Sequence, residues 1–430
     1  MTRRAKRFLA AALGAVFVGV GVAGAGWWAQ AGLTEAQRLA QYGLWAEARQ
    51  ALTRYFWLHP RDSKAHLLYA EALVKDDQLP VEWSAPEAIK HLAAVPDEDP
   101  RGPEARTQQG RVEFFLLYHP TRAESLFQRA IELDPDRPEP YYLLWKLKDQ
   151  TGRSYLAEPE FWKVYEASAR PVRGLRLREW YMSQFYPETA NWVLDRLMGI
   201  TAPKKPADAD QTEAYRFIRF RDAEPDSPLG YAALARWFHI QRDTPFALEF
   251  LDRSAEKIPN AQEDPFYLAT LTSILIDLGK FDRAEECFRK WPEPRAGYEY
   301  WLTEGRLLHR ARGQYAEAVR AYDRALSVWP GQVDWRTRNR KANCLARLKD
   351  VAGAAREHEK AKMLENLMDE VNHRELRRAL AHLDDPKELS KLVDFYKKID
   401  RPREAAAWSD HIAWLQSLRA GRSGGEATAR

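Results

Sequence analysis

Residues 299–332 read EYWLTEGRLLHRARGQYAEAVRAYDRALSVWPGQ. Within them Gly313, Tyr315, Ala318, Tyr322, Ala325 and Pro330 form a frame of glycine, aromatic, small, bulky, small and proline. The same frame lies 34 residues earlier as Gly279, Phe281, Ala284, Phe288 and Trp291. It recurs as Gly43, Trp45, Ala48, Leu52, Tyr55 and Pro60. Partial copies centre on Ala88, Ala123, Ala247 and Ala354, and a last one on Ala405. Such self-similarity marks a stacked repeat rather than a set of globular domains.

The frame has a physical reading as a helical hairpin. A helix with apolar residues at i, i+3/i+4 and i+7 precedes each copy, as Tyr231, Leu234, Ala235 and Phe238 show. The glycine ends that helix in a left-handed cap. The alanine is small because two helices cross closely there. The bulky residue fills the space between hairpins, and proline ends the second helix.

On these residues the chain resembles the tetratricopeptide repeat family. The likeness spans roughly 33–418 and is poor over 150–225. It implies an all-α, right-handed superhelix whose concave face binds peptides or protein segments. The reading divides the chain into a basic tip with an anchor or signal peptide (1–32), an N-terminal array (33–200), a C-terminal array (211–418) and a disordered tail (419–430). Gly199–Ala209 reads as the main internal linker, and Arg374–Leu383 as an extra helix.

Charge adds a topology signal. The formal net charge is +4, and Arg3, Arg4, Lys6 and Arg7 account for it, since no acid precedes Glu35. The rest of the chain is balanced, which does not support a nucleic-acid-binding surface. Residues 8–29 (FLAAALGAVFVGVGVAGAGWWA) carry no charge, and as a helix they would reach across a hydrocarbon core of about 30 Å. The expectation is a single-pass membrane protein with a cytoplasmic N-terminus and its bulk on the extracytoplasmic side. The competing reading is a cleaved signal peptide, with small-x-small sites at Ala23–Ala25 and Ala29–Ala31 and a secreted product. The GxGxxG match at Gly19–Gly24 lies inside this run, without the strand–helix context of a dinucleotide site.

No catalytic motif is present: no phosphate-binding loop, HExxH, GxSxG or CxxC. The expectation is a non-enzymatic protein with no cofactor and no metal site. Cys287 and Cys344, on apolar faces of different repeats, read as buried free thiols. The basic cluster Arg170, Arg173, Arg176 and Arg178 reads as a loop, because Pro171 and Gly174 interrupt it.

The resemblance also places a groove. Carried onto this sequence, its groove-facing positions are Arg336, Asn339, Asn343, Ala346 and Arg347. Arg336, Arg340, Asn343 and Arg347 recur at helical spacing and share one face. Arginine and asparagine together hold a carboxylate through charge-assisted hydrogen bonds. This is similar to the carboxylate-clamp members of the family, although there the clamp draws on several consecutive repeats. Among the neighbouring positions only Arg310 adds a positive charge. The expected function is a protein-interaction scaffold or assembly factor gripping acidic segments. The alternative is an envelope protein binding a glycan or other non-protein ligand in an aromatic groove. No oligomeric state is assigned.

Overall fold

Aspartates and prolines start these helices, and left-handed residues end them. Asp264, Asp334 and Asp350 each accept a hydrogen bond from a backbone amide of the first turn that follows, at 2.7, 2.9 and 2.8 Å. Pro265 and Pro386 occupy first-turn positions, where the missing amide costs nothing. At the other end, Gly43, Gly279 and Gly313 take positive φ. Arg242, Lys349 and Asp400 take the same conformation without being glycine.

The computed structural model describes residues 32–185, 211–258 and 261–427. Every described regular element is a helix. They are α1 (32–41), α2 (Trp45–Phe56), α3 (Ser63–Lys75), α4 (Val81–Ala93), α5 (Gly102–Phe115), α6 (Pro120–Leu133), α7 (Pro138–Gln150), α8 (Glu158–Ala167) and α9 (Arg170–Phe185). There follow α10 (Gln211–Ala223), α11 (Pro228–Ile240), α12 (Thr244–Ala255), α13 (Pro265–Asp277), α14 (Phe281–Arg289) and α15 (Tyr298–Arg310). The last are α16 (Tyr315–Ser327), α17 (Trp335–Arg347), α18 (Val351–Leu367), α19 (Glu370–Ala381), α20 (Pro386–Lys398) and α21 (Pro402–Ala427). Residues 154–156, 261–263 and 331–333 add single 3-10 turns.

The chain divides into two compact units, 1–143 and 144–430, with the boundary inside α7. In the first unit α1/α2, α3/α4 and α5/α6 are antiparallel hairpins. Their core runs from Ala48, Leu52 and Tyr55 through Leu73, Ala88 and Leu92 to Val112. Ala48, Ala88 and Ala123, the small residues of the frame, are fully buried. In the second unit α11/α12, α13/α14, α15/α16 and α17/α18 repeat the hairpin, and the first helices α11, α13 and α15 stack side by side. Ala247, Ala284 and Ala318 are again fully buried. Cys287 and Cys344 are buried free thiols.

The second unit also contains a packing the repeat does not specify. Residues 152–185 lie against helices far away in sequence. Near α8, Arg236 of α11 hydrogen-bonds to Tyr155 and pairs with Glu299 of α15 at 2.9 Å. In α9, Trp180 Nε1 donates to Glu404 Oε1 at 3.1 Å, and the Tyr181 hydroxyl lies 2.6 Å from His373 Nδ1. Tyr396 donates to Gln184 Oε1 at 2.7 Å. Helix α13 is apolar on all sides and buried at ten positions, from Phe266 to Ile276; a helix of that kind is covered on every face.

Three expectations change. First, the basic cluster Arg170–Arg178 is not a loop but lies in the helix Arg170–Phe185: Pro171 sits in its first turn, and Gly174 packs against the His411 ring. Second, α21 continues through residues assigned to a disordered tail, as far as Ala427. No proline interrupts it there, and Arg419 donates to the Asp384 carbonyl at 2.7 Å. Third, the single-pass placement with an exported bulk is corrected. Among the described residues no helix is long and apolar enough to cross a membrane. Even the longest, α21, carries Arg403, Glu404, Asp410 and Arg419. The apolar run 8–29, the cleavage sites at Ala23–Ala25 and Ala29–Ala31 and the linker 199–209 lie outside the described residues.

Candidate functional site

Two of the basic residues singled out in the sequence sit at the C-terminal ends of successive first helices. Arg310 closes α15 and Arg347 closes α17. Asp277 closes α13, and His239 stands one residue from the end of α11. Helix C-termini carry partial negative charge, so cations there are favoured and Asp277 is not. Cationic neighbours compensate. Asp277 pairs with His239 at 3.2 Å, with Arg310 at 3.3 Å, and with Arg306. Despite the burial that opposes it, the His239 hydrogen bond and the Arg306 charge hold the Asp277 carboxyl below its usual range.

Arg306 is the centre of this arrangement. It is 5% exposed, donates to Ser273 Oγ at 2.7 Å, and its Nε has no hydrogen-bond partner. Burial lowers its pKa, and the nearby Arg340 and Arg310 charges lower it further, against the pull of Asp277. His309 is likewise pushed down, first by burial and then by Arg310, Arg340 and Arg347. Four guanidinium groups therefore surround one region. Asp277 pairs with two of them, while Arg340 and Arg347 make no ion pair among the described residues.

The expected residues are not all there. Arg340 is half-buried and donates to Thr337 Oγ1 at 3.1 Å, while Asn343 and Arg347 are exposed. Arg336 is exposed, with its guanidinium 5.1 Å from the Trp335 ring. Asn339 is drawn away: its Oδ1 lies 2.9 Å from His358 Nδ1, on the second helix of the same hairpin. Arg306, His309 and the role of Asp277 were missed. Arg306 sits one turn before Arg310, and that i, i+4 spacing was the available signal.

Exposure separates this stretch from its neighbour. On α13 Phe266, Ala269 and Ile276 are buried, whereas their equivalents on α17, Arg336, Asn339 and Ala346, are exposed, half-buried and exposed.

Residues 307–362, from the second half of α15 to α18, match the family model of the tetratricopeptide repeat. The chain carries tetratricopeptide repeats. The matched repeats hold Arg310, Arg340 and Arg347, while Arg306 lies one residue ahead of them. No curated protein matches the chain. Among solved structures, it is similar to the Cut9–Hcn1 hetero-tetramer of the APC/C, at 14% identity over 89% of this chain and 79% of that one, with a TM-score of 0.38. The tetratricopeptide domain of P58(IPK) is 16% identical over 84% of this chain and 99% of its own, with a TM-score of 0.30. PilF of Pseudomonas aeruginosa is 14% identical over 53% and 92%, with a TM-score of 0.26. These are distant likenesses of fold.

Proposed function

We propose that this protein is a non-enzymatic interaction scaffold that holds an acidic segment of a partner protein on the α15–α17 face. The observation that carries the reading is the charge imbalance around Arg306. A guanidinium that is 5% exposed stands beside Arg310 and Arg340, with Asp277 as its paired carboxylate. A partner carboxylate would relieve that repulsion and gain charge-assisted hydrogen bonds from Arg340 and Arg347. Exposed Asn343, on the same face, supplies a neutral donor beside them. The glycan alternative needs aromatic rings displayed along a face. In the second unit Trp145, Trp162, Trp180 and Trp408 are buried instead, while the exposed Trp57 and Trp83 belong to the first unit.

The test is binding of a fluorescein-labelled peptide of four glutamates with a free C-terminus to the full chain. Wild type should bind it, with affinity that falls as salt rises. Arg340→Glu combined with Arg347→Glu should weaken binding at least tenfold while leaving the thermal melt in place. Equal affinity in the double variant, or no binding by wild type, would overturn the reading.

A further inference from the structure

A second site lies away from the α15–α17 face, where α8 and the start of α9 meet α21. A cavity of about 360 Å³ opens there, within the size range of small-molecule pockets, about 300–1,000 Å³. Tyr165, 8% exposed, contributes to its lining, and its hydroxyl makes no hydrogen bond among the described residues. The ring is buried while the hydroxyl reaches the cavity, where it is available to a ligand. Arg173, Asp410 and Arg170 line the same cavity and act on the hydroxyl electrostatically.

These charges are not used up by each other. Arg170 and Asp410 both line the cavity, both are exposed, and neither makes an ion pair among the described residues. Arg173 is partly occupied: its Nε donates to the Ser168 carbonyl at 3.1 Å and Nη2 to the Glu166 carbonyl at 3.4 Å. Its guanidinium lies 5.3 Å from the Tyr165 ring, which holds it in place. His411 and Trp414 form an aromatic wall, with ring centroids 5.5 Å apart and planes 31° from parallel. His411 is fixed by Nε2 donating to the Leu383 carbonyl at 3.3 Å.

We propose that this cavity binds a small zwitterion, with its anionic oxygens on Arg170 and Arg173, its ammonium on Asp410, and its apolar body against Trp414. Each part follows from the lining. A guanidinium pair suits a carboxylate or a phosphate. An unpaired carboxylate opposite it selects a cation on the same molecule, and the indole face adds to that preference. A purely anionic ligand would leave Asp410 facing like charge, and a purely cationic one would meet the arginines. The Tyr165 hydroxyl then donates to the anionic end.

Titration calorimetry on the full chain tests this. L-phenylalanine and phosphoethanolamine are the two probes, and they separate an amino-acid source from a phosphate headgroup source. N-acetyl-L-phenylalanine, which lacks the ammonium, and phenethylamine, which lacks the carboxylate, are the controls. At least one zwitterion should bind, and the control that lacks one of its charges should bind about tenfold more weakly or worse. Arg170→Gln and Asp410→Asn should each cause a comparable loss with an unchanged melt, since both side chains are exposed. Three results would overturn the proposal: no heat from either zwitterion up to millimolar concentration, a control that binds as well as the zwitterion, or binding unchanged in both variants.

Discussion

Gly305 of α15 lies against the ring of Tyr322 of α16: a Cβ on the glycine would stand 2.6 Å from Cδ1 and Cε1. Tyr322 is fully buried and cannot swing away. The pair recurs in the first unit as Gly110 against Phe127. Substituting Gly305→Ala should therefore cost about 1–3 kcal/mol by overpacking, despite the better helix propensity of alanine. Urea denaturation gives the number. Gly305→Ala paired with Tyr322→Leu should cost less than the sum of the two single changes, because the pair shares one space.

The hairpin turns make a second prediction. Five residues before the buried small residue, the backbone is left-handed at Gly43, Gly279 and Gly313, and also at Tyr118, Arg242, Lys349 and Asp400. A side chain in that conformation costs about 1–2 kcal/mol. Lys349 is exposed, and among the described residues no hydrogen bond or ion pair ties its side chain down. Lys349→Gly should raise stability by about 0.5–1 kcal/mol net of the added chain entropy. Gly313→Ala should lower it by about 1 kcal/mol. A Cβ at Gly313 would meet nothing within 4 Å, so the loss isolates the backbone. Both appear as shifts in denaturant midpoint at constant slope.

That turn explains what could be read in the sequence. Glycine, alanine and aromatic sit within a few residues of one another, and each position answers to a local demand. The register was therefore visible even where glycine was absent, since Ala354 and Ala405 alone mark Lys349 and Asp400. The docking of residues 152–185 was not visible. Trp180 meets Glu404 and Tyr181 meets His373, pairs about two hundred residues apart. No periodicity encodes such a contact. One trace existed: PFYLATLTSILID at 265–277 has no polar face, so something had to cover both sides. The site was half legible for the same reason. Arginine spacing marked the face of α17, but Asn339 turned to His358, and the buried Arg306 looked like any surface arginine.

A pair of histidines in the first unit gives a pH prediction. His66 Nδ1 lies 2.9 Å from His91 Nδ1, and His66 Nε2 lies 3.0 Å from the Pro60 carbonyl. The chain of bonds requires a neutral His66, whose Nδ1 accepts from His91 while its Nε2 donates to Pro60, and the site disfavours a charge on His91 beside it. Burial, and then the facing His66, push the His91 pKa down from 6.5 to about 4. A base with a lowered folded pKa binds protons less well in the native state. The stability it supports is thus full above pH 6.5, falls as pH drops, and is lost by about pH 4. The ring is half-buried, and solvent screening limits the loss to about 1–2 kcal/mol. His91→Gln keeps a donor toward His66 and does not titrate. Urea midpoints followed from pH 7 to pH 4 should fall less for this variant than for wild type.

The last prediction concerns the clasp on residues 152–185. Arg236 is held by Glu299 at 2.9 Å, by Tyr155, and by the Phe266 ring, whose centre lies 4.4 Å from the guanidinium. The Glu299 and Tyr155 interactions outweigh burial and keep its pKa raised. Glu299→Gln removes the balancing charge and leaves the guanidinium largely enclosed. That should cost about 2–3 kcal/mol, toward the lower side of buried pairs because both side chains retain some exposure. Adding Arg236→Met replaces the stranded charge with an apolar stem against Phe266 and should recover at least half of the loss. Hydrogen exchange localises the effect. In Glu299→Gln, residues 150–158 should exchange faster while α17 and α18 stay protected. If the single variant and the double variant are equally stable, the pair is solvated and the clasp rests on the Trp180–Glu404 and Tyr181–His373 contacts instead.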